Sequence, residues 1–335
     1  MSAAAWIAVL APAIVAFCAI ALLRRAGAGR WLVDQPNERS LHAAPTPRLG
    51  GIGVAAGVAS VAGLFWTPPV DIAIGLAGLL FAISLADDAR SLPMALRLAA
   101  HLAAAAIVAW ASLQNAAQIP LAFIAAVVAT AWMTNLFNFM DGADGLAGGM
   151  AVIGFASLAI AASQAGAVEL GLAAAAIGSA AAGFLAHNFP PARVFLGDAG
   201  SIPLGFLAAA LGLQGIVAGA WPWWFPLLVF SPFVVDATVT LAVRALRGKT
   251  FWRAHREHYY QRLVLLGWKR RRLLFAAYAL MAAACASALL ALRAAQEVQL
   301  GILLCWAAVY PPLLIAIDHH ARRARPGDSS RGPVG

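Results

Sequence analysis

Long apolar runs are the feature that most constrains the fold of this chain. About eleven runs of roughly twenty mostly apolar residues, the length that crosses a bilayer, begin near residues 3, 52, 70, 95, 119, 149, 169, 202, 222, 273 and 298. Because 62% of the residues are hydrophobic and only 11% are charged, lipid is the expected solvent for most of the chain. Lipid offers no hydrogen-bond partners to a bare backbone, so such runs must form helices. The sequence predicts an all-α, polytopic integral membrane protein with about eleven transmembrane helices.

The cationic residues predict how these helices are oriented. The first run lacks a basic leading region and ends at Arg24-Arg25, which is typical of an uncleaved signal anchor with its N-terminus outside. Of the 23 Lys and Arg residues, only Arg293 then lies outside, and this positive-inside bias supports the whole topology. The same bias accounts for the net charge of +9, so no nucleic-acid partner is needed to explain it. The loops placed in the cytoplasm are 24–51, 87–94, 138–148, 188–201 and 244–272, together with the C-terminal tail.

The amino-acid composition gives no sign of a second domain, and only the C-terminal end differs from the rest of the chain. Residues 1–324 are predicted to form one polytopic membrane domain, and residues 325–335 are predicted to be a disordered cytoplasmic tail.

The first cytoplasmic loop has two interpretations. Residues 34–51 (DQPNERSLHAAPTPRLGG) mix turn-setting prolines, a glycine pair and cationic side chains. They serve either as a connecting loop with topogenic charge or as an anion cradle. In the second case Arg39, His42 and Arg48 hold phosphate while the backbone N–H groups of Gly50 and Gly51 approach it.

Carboxylates recur in the next three cytoplasmic loops. Asp87 and Asp88 are neighbours where a helix leaves the membrane. Their side chains point about 100° apart, so they are predicted to have different functions. The alternative is that both belong to a solvated helix end without a function of their own. Residues 135–149 (NLFNFMDGADGLAGG) contain two Asn and two Asp, more than a structural turn needs. Asp198 lies between glycines and is either a metal ligand, with the N–H groups of Gly200 and Ser201 facing an anion, or an N-cap.

These acids predict metal-assisted chemistry on a phosphate. A site made only of carboxylates repels phosphates, whereas a hard divalent cation can bridge the two. Mg²⁺ typically uses one or two protein oxygens plus substrate phosphates, and Asn and Asp are suitable ligands. The five carboxylates are Asp87, Asp88, Asp141, Asp144 and Asp198.

The last cytoplasmic loop combines positive charge with histidines. Residues 244–272 carry ten Lys or Arg, which topogenic charge explains, but that charge does not explain His255 and His258. Their i,i+3 spacing favours binding of a diphosphate or nucleotide, with a metal pair as the alternative. Asp236 lies in an apolar run and needs a partner or a water-filled cavity, so site and structural roles both stay open. His101, one turn from Arg97, is interpreted as structural.

Five motifs in this order resemble a known family. They are PTPRLGG (45–51), Asp87-Asp88, NFMDGADGL (138–146), FLGDAGS (195–201) and the His255/His258 loop. Together they span most of the chain and resemble the polyprenyl-phosphate N-acetylhexosamine-1-phosphate transferases of glycosyltransferase family 4.

This resemblance implies a reaction and a location. A UDP-N-acetylsugar would donate its sugar-1-phosphate to undecaprenyl phosphate, with UMP as leaving group, at the cytoplasmic face of the bacterial inner membrane. Mg²⁺ would be the cofactor, with Mn²⁺ as a substitute, and a homodimer is one candidate assembly. We expect the acceptor phosphate to attack directly in a single displacement, because a phosphate oxygen is already a competent nucleophile at neutral pH.

The resemblance also implies residue roles. Asp198 is the expected Mg²⁺ ligand, with Asn138 as a second. Asp87 would deprotonate or orient the acceptor phosphate, supported by Asp88. The lipid phosphate would meet His42 and Arg48. The residues expected to line the nucleotide-sugar side are Asn135, Asp141, Asp144, His255 and His258.

The subfamily is predicted from the histidine loop. It contains His-Arg-Glu-His-Tyr-Tyr and not the His-His-His run typical of phospho-N-acetylmuramoyl-pentapeptide transferases. Together with Pro232 and Asp236, it looks more like enzymes that initiate O-antigen or related surface polysaccharides, some of which accept 6-deoxy sugars such as N-acetylfucosamine or N-acetylquinovosamine. GlcNAc and muramoyl-pentapeptide transfer remain alternatives. A transporter is the alternative from another functional class. It predicts acids near the bilayer midplane and repeated halves, whereas most acids of this sequence lie in loops on one face and no repeat is evident.

Overall fold

The computed structural model describes residues 3–30, 32–36, 44–114, 120–250 and 255–323, and it is almost entirely helical over them. Two short strands, β1 (Val33–Asp34) and β2 (Thr46–Pro47), pair antiparallel with Val33 opposite Pro47. The helices of the described residues are α1 (Ala3–Arg25), α2 (Gly50–Ala59), α3 (Val70–Arg90), α4 (Met94–Leu113), α5 (Pro120–Phe139), α6 (Leu146–Gln164), α7 (Val168–Asn188), α8 (Asp198–Val217), α9 (Trp224–Val229), α10 (Ser231–Leu246), α11 (Tyr259–Leu265), α12 (Arg270–Ala291) and α13 (Gln296–Arg323).

The predicted class of an all-α polytopic membrane protein is confirmed. Within the described ranges, nine helices are long and apolar enough to span a bilayer: α1, α3 to α8, α12 and α13. They coincide with nine of the predicted apolar runs. The run near residue 52 forms α2, which has only 10 residues. The predicted tail, residues 325–335, lies outside the described residues.

The remaining apolar run, near residue 222, is interrupted at Phe230, between α9 and α10. Pro232 occupies the first turn of α10. A proline there lacks an N–H and its ring conflicts with the carbonyl four residues earlier, so a continuous helix cannot form. Pro232 therefore accounts for the break between α9 and α10.

Alternating helix directions bring the polar loops to one end of the bundle. Helices α3, α5, α7 and α10 end there, whereas α2, α6, α8 and α12 begin there. The contacts between Asp88 and Ala199 and between Asn138 and Asp198 join several of these termini directly. We call this side the Asp198 end. At the other end, Gln214 donates a hydrogen bond to the Pro69 carbonyl over 2.9 Å.

Small residues let neighbouring helices approach closely. A Cβ on Gly183 would lie 2.2 Å from the Ala13 carbonyl oxygen, and one on Gly57 would lie 2.6 Å from the Pro12 carbonyl oxygen. In lipid, helix association depends on such van der Waals contact between backbones. The abundant Ala and Gly of the sequence therefore pack α1 against α2 and α7.

Gly51→Ala is expected to destabilise the protein. Its Cβ would lie 2.5 Å from the Gly200 nitrogen and 2.6 Å from the Ala199 carbonyl carbon, and a backbone cannot move aside as a flexible side chain can. Overpacking of this kind costs about 1–3 kcal/mol. We expect a lower apparent Tm in detergent. Gly78→Ala is the control, because nothing lies within 4 Å of its added Cβ. Equal Tm values for the two variants would contradict this packing.

Candidate active site

Asp88 joins three elements at the Asp198 end. It lies in the last turn of α3, and its side chain is only 1% exposed. Its carboxylate accepts hydrogen bonds from the backbone N–H of Ala199 (3.1 Å) and Asp198 (3.4 Å), the first residues of α8. Arg48 donates to the same carboxylate over 3.0 Å. A carboxylate at a helix N-terminus satisfies free N–H groups, so Asp88 fixes the start of α8.

Gly197 is required by this contact. Its φ of +73° lies in the left-handed region, and a Cβ there would lie 2.8 Å from Asp88 Oδ2. Only glycine adopts that conformation and leaves room for the carboxylate.

Asp87 points to different partners from Asp88, as predicted for neighbours on a helix. Its Oδ1 accepts the Leu92 N–H over 2.6 Å, and its Oδ2 accepts Arg97 Nη1 over 2.6 Å. The same Arg97 nitrogen lies 3.5 Å from Asp198 Oδ2. Arg97 thus bridges two predicted site carboxylates, a role that our sequence analysis missed. The available signal was a lone Arg one turn inside an apolar helix, where a charge needs a partner.

Asp198 is the first residue of α8 and keeps 31% of its side chain exposed. Asn138 Nδ2 donates to Asp198 Oδ1 over 2.8 Å and to Ser201 Oγ over 2.9 Å. The N-cap position belongs to Gly197, and it makes no side-chain cap bond. The N-cap alternative for Asp198 is therefore wrong, and its carboxylate remains open beside Asn138.

Two anion sites suggested by the glycines do not form. Gly50 and Gly51 donate their N–H groups to the Phe195 and Leu196 carbonyls, each over 2.9 Å. The N–H groups of Gly200 and Ser201 both donate to the Gly197 carbonyl over 3.0 Å. These glycines serve close packing of α2 against α8, and their N–H groups are already used.

The cationic part of the first loop is only partly described. Arg48 is 32% exposed and lies between two carboxylates, 2.5 Å from Asp34 Oδ1 and 3.0 Å from Asp88 Oδ1. His42 and Arg39 lie outside the described residues. The lipid-phosphate roles of Arg48 and His42 stay predictions.

Asp141 adds an uncompensated carboxylate. It follows α5, and among the residues that the structure describes its carboxylate has no hydrogen-bond or ion-pair partner. Burial and the neighbouring Asp198 and Asp88 charges raise the pKa of Asp141 well above its usual value. Counting only described side chains, five carboxylates (Asp34, Asp87, Asp88, Asp141 and Asp198) lie around two guanidiniums, Arg48 and Arg97. This surplus negative charge favours a bound cation.

The donor set suits Mg²⁺ shared with a substrate. Over the described ranges, no group of three or more His, Cys, Asp or Glu is close enough to enclose a metal ion. The alternative of a metal pair at His255 and His258 therefore gains no third ligand. Mg²⁺ usually takes one or two protein carboxylates, and phosphates and water complete its shell. Asp198, Asn138 and Asp141 offer that type of open site.

Asp144 and Asn135 form hydrogen bonds with other residues of the chain. Asp144 Oδ2 accepts the Ala192 N–H and Arg270 Nη1, each over 3.1 Å, and so ties the 189–197 loop to α12. Asn135 donates to the Ala131 carbonyl over 2.7 Å. Their nucleotide-sugar roles stay predictions.

Asp236 has its partners inside the chain. Its Oδ1 accepts the Tyr259 N–H (2.9 Å) and the Thr240 hydroxyl (3.2 Å), and it lies 3.2 Å from His258 Nδ1. Its Oδ2 accepts the Tyr260 N–H over 3.0 Å. The carboxylate thus binds the first N–H groups of α11 and orients His258. This geometry gives Asp236 a positioning role.

The histidine loop lies against the acidic segment. His258 stacks on Phe139 with ring centroids 6.1 Å apart and on His255 at 4.9 Å. Tyr260 donates to the Phe139 carbonyl over 3.2 Å, and a Cβ on Gly142 would lie 2.2 Å from its hydroxyl. The histidine loop thus lies beside the 138–146 motif in the structure, and the nucleotide-sugar roles of His255 and His258 stay predictions.

His255 is a neutral side chain in this environment. Burial, then His258 and Arg244, lower its pKa to about 4. It would therefore meet an anion as a neutral hydrogen-bond donor and not as a cation. Two cations that lower this pKa, Arg244 and Lys249, both donate to Glu257.

Comparison with known proteins places this arrangement in a family. Residues 71–216 match the family model of glycosyl transferase family 4. The phospho-N-acetylmuramoyl-pentapeptide-transferase of Picosynechococcus sp. is 30% identical over 272 residues, which cover 71% of each chain. The chain belongs to glycosyl transferase family 4.

Other family 4 relatives match over similar lengths. The probable undecaprenyl-phosphate N-acetylglucosaminyl 1-phosphate transferase of Bacillus subtilis is 27% identical over 256 residues, 71% of each chain. The decaprenyl-phosphate N-acetylglucosaminephosphotransferase of Mycolicibacterium smegmatis is 26% identical over 316 residues, 80% of this chain and 77% of its own. The resemblance to polyprenyl-phosphate N-acetylhexosamine-1-phosphate transferases is therefore confirmed. The family match contains Asp87, Asp88, Asn138, Asp141 and Asp198.

Proposed function

We propose that this chain transfers an N-acetylated sugar-1-phosphate from a UDP-sugar to undecaprenyl phosphate and releases UMP. The observation that carries this proposal is the carboxylate surplus around Asp141 and Asp198, flanked by Arg48 and Arg97 at one end of a lipid-embedded bundle. The names of the Bacillus and Mycolicibacterium relatives support the same acceptor class. We further propose that the Asp198 end faces the cytoplasm of a bacterial inner membrane, as the positive-inside bias favours.

The proposed cofactor is Mg²⁺, held by Asp198 and Asn138 with Asp141 nearby. When bound, it would neutralise the donor diphosphate and polarise its phosphoryl oxygens. Arg97, already between Asp87 and Asp198, can turn toward a phosphate when substrate enters. With Nδ1 of His258 directed to Asp236, Nε2 is its remaining atom for the nucleotide sugar.

The hydrogen bonds of Asp87 and Asp88 support a single displacement. Each carboxylate already accepts two or more hydrogen bonds, so neither is a free nucleophile. An oxygen of the acceptor phosphate would attack the β-phosphorus of the UDP-sugar. The bond from that phosphorus to the bridging oxygen then breaks, and the oxygen leaves with UMP. Asp87 orients the acceptor through Arg97, and Asp88 holds α8 and Asp198 in place.

A second candidate donor is UDP-N-acetylmuramoyl-pentapeptide, because the Picosynechococcus relative bears that activity in its name. We favour a simple or 6-deoxy N-acetylhexosamine, used to initiate O-antigen or another surface polysaccharide. The support is the sequence His-Arg-Glu-His-Tyr-Tyr at 255–260 in place of three consecutive histidines.

UMP release by detergent-purified protein tests the proposal. The assay supplies undecaprenyl phosphate, Mg²⁺ and, in turn, UDP-GlcNAc, UDP-N-acetylfucosamine, UDP-N-acetylquinovosamine and UDP-N-acetylmuramoyl-pentapeptide. We expect release with one donor class, complete loss in EDTA and recovery with added Mg²⁺ or Mn²⁺. Release that persists in EDTA would contradict the metal, and no release with any donor would contradict the reaction.

A further inference from the structure

The last helix, α13, carries an acid that contacts the histidine loop. Asp318 lies near the C-terminal end of α13, and its carboxylate accepts a hydrogen bond from Arg262 Nη1 of α11. The two side chains are 32% and 17% exposed, so the ion pair is partly buried. The family match ends at residue 216 and contains neither residue. No role for Asp318 follows from the five sequence motifs.

Arg262 is held by three different contacts. Besides the bond to Asp318, its Nε donates to the Glu257 carbonyl over 2.6 Å, and its guanidinium lies 4.5 Å from the centroid of the Tyr259 ring. A planar guanidinium that donates along two edges and stacks through its face keeps one orientation. Asp318 is its ion-pair partner among the described residues, so this acid determines where the Nε–H of Arg262 points.

The Glu257 peptide lies between the two histidines of the loop. Its N–H donates to His255 Nδ1 over 3.3 Å. Because Nδ1 accepts this bond, the neutral His255 ring carries its proton on Nε2. The next N–H, that of His258, donates to Gln261 Oε1 over 3.2 Å. By holding the Glu257 carbonyl, Arg262 therefore fixes the backbone from which both histidine rings project.

The ion pair between Asp318 and Arg262 adds little to the stability of the fold. Partly exposed ion pairs contribute little to folding, because water and salt screen them. Within the described residues, Tyr310 is the buried residue of α13, and its hydroxyl hydrogen-bonds the Ser231 hydroxyl over 2.6 Å. Loss of the Asp318 contact would leave α13 attached there. We therefore expect the ion pair to affect the histidine loop and not the fold.

We propose that Asp318 is a positioning residue for the nucleotide-sugar donor and acts through Arg262 on the histidine loop. The carboxylate orients Arg262, and Arg262 holds the Glu257 peptide. That peptide orients the His255 ring, which leaves Nε2–H to donate to the diphosphate or nucleotide. Asp236 binds the first N–H groups of α11, whereas Asp318 acts on the segment before them. This inference rests on the proposed function for the identity of the donor.

Binding of UDP tests this role, because every candidate donor contains UDP. The dissociation constant is measured by calorimetry on the detergent-purified full-length protein with Mg²⁺. We expect Asp318→Asn to weaken UDP binding about fivefold, near the most that a partly exposed ion pair supplies. Asp318→Glu keeps the charge and should restore most of the affinity. Glu297→Gln, an exposed position at the other end of α13, is the matched control and should bind UDP like the wild type.

Steady-state rates and hydrogen exchange separate positioning from folding. In Asp318→Asn the KM for the donor should rise by the same factor as the UDP dissociation constant. The kcat, the acceptor KM and the apparent Tm should stay close to the wild-type values. Amide exchange in a peptide that covers residues 255–261 should become faster, because Arg262 no longer holds the Glu257 carbonyl. Arg262→Lys should weaken UDP binding as well, because lysine lacks the planar fork.

The outcomes distinguish this inference from the proposed function. If Asp318→Asn binds UDP as tightly as the wild type, or if its loop exchanges at the wild-type rate, Asp318 is not a positioning residue and the reaction stands. Weaker binding with a lower Tm that Asp318→Glu does not restore would make Asp318 structural and overturn the inference. If the wild-type protein binds no UDP, the proposed function is wrong and the inference falls with it.

Discussion

Asp198→Asn is expected to lower kcat for UMP release by about two to three orders of magnitude, since several kcal/mol of charge stabilisation at the phosphates would be lost. The substitution keeps the shape of the side chain and an oxygen that can accept from Asn138 (2.8 Å). It removes the negative charge that we propose holds Mg²⁺. Because the residue begins α8 and is partly exposed, the fold should survive. Initial rates at saturating donor and acceptor measure the effect.

Asp71→Asn is the matched control for that variant. Asp71 lies in the first turn of α3, at the opposite end of this helix from Asp87 and Asp88, and its carboxylate accepts the Ile72 N–H over 2.7 Å. Its substitution should leave kcat unchanged. If Asp198→Asn retained wild-type kcat at low and high Mg²⁺, Asp198 would not be the metal ligand.

Asp236→Ala is expected to have the second large effect, a loss of stability and of donor binding that acts through the histidine loop. It removes the acceptor for the Tyr259 and Tyr260 N–H groups and for His258 Nδ1 at once. Breaking a buried network of this kind costs about 3 kcal/mol. We expect α11 to detach from α10, the KM for the UDP-sugar to rise and trypsin to cleave after Arg256 and Arg262 faster than in the wild type.

Thr240→Val is the graded control for Asp236→Ala. It removes one of the hydrogen bonds to the same carboxylate and leaves the bonds to α11 intact. We expect the free energy of unfolding to fall by about 1 kcal/mol and the rate of trypsin cleavage to change little. Wild-type cleavage rates and donor KM in Asp236→Ala would show that Asp236 does not position the loop.

The sequence indicated the candidate site because chemistry-bearing residues are rare in a lipid-embedded chain. Asp87, Asp88, Asn138, Asp141 and Asp198 stood out against apolar surroundings, and the alternation of spans placed them at one end of the bundle. The helix break before Pro232 was predictable because proline has a local mechanism. Such features depend on a residue and its immediate neighbours.

What could not be predicted depends on pairs that are distant in sequence. Asp88 and Ala199 are 111 residues apart, and nothing near Asp88 indicates that its carboxylate binds the start of α8. One of the two interpretations of the first loop places the Gly50 and Gly51 N–H groups at an anion, but the Phe195 and Leu196 carbonyls accept them. Asp236 could not be assigned a role before the structure showed that its carboxylate binds the first N–H groups of α11. In each case burial requires a hydrogen-bond partner but does not specify which one.

The fate of the donor's β-phosphate is the measurement that tests the central claim most directly. The wild-type protein is incubated with undecaprenyl phosphate, Mg²⁺ and the active UDP-sugar labelled with ³²P at the β-phosphate, and the lipids are then extracted. Transfer of a sugar-1-phosphate predicts that the label enters the lipid fraction and that the released UMP is unlabelled. Label that remains in water-soluble UDP would mean that only the sugar moves, and the proposed reaction would be wrong.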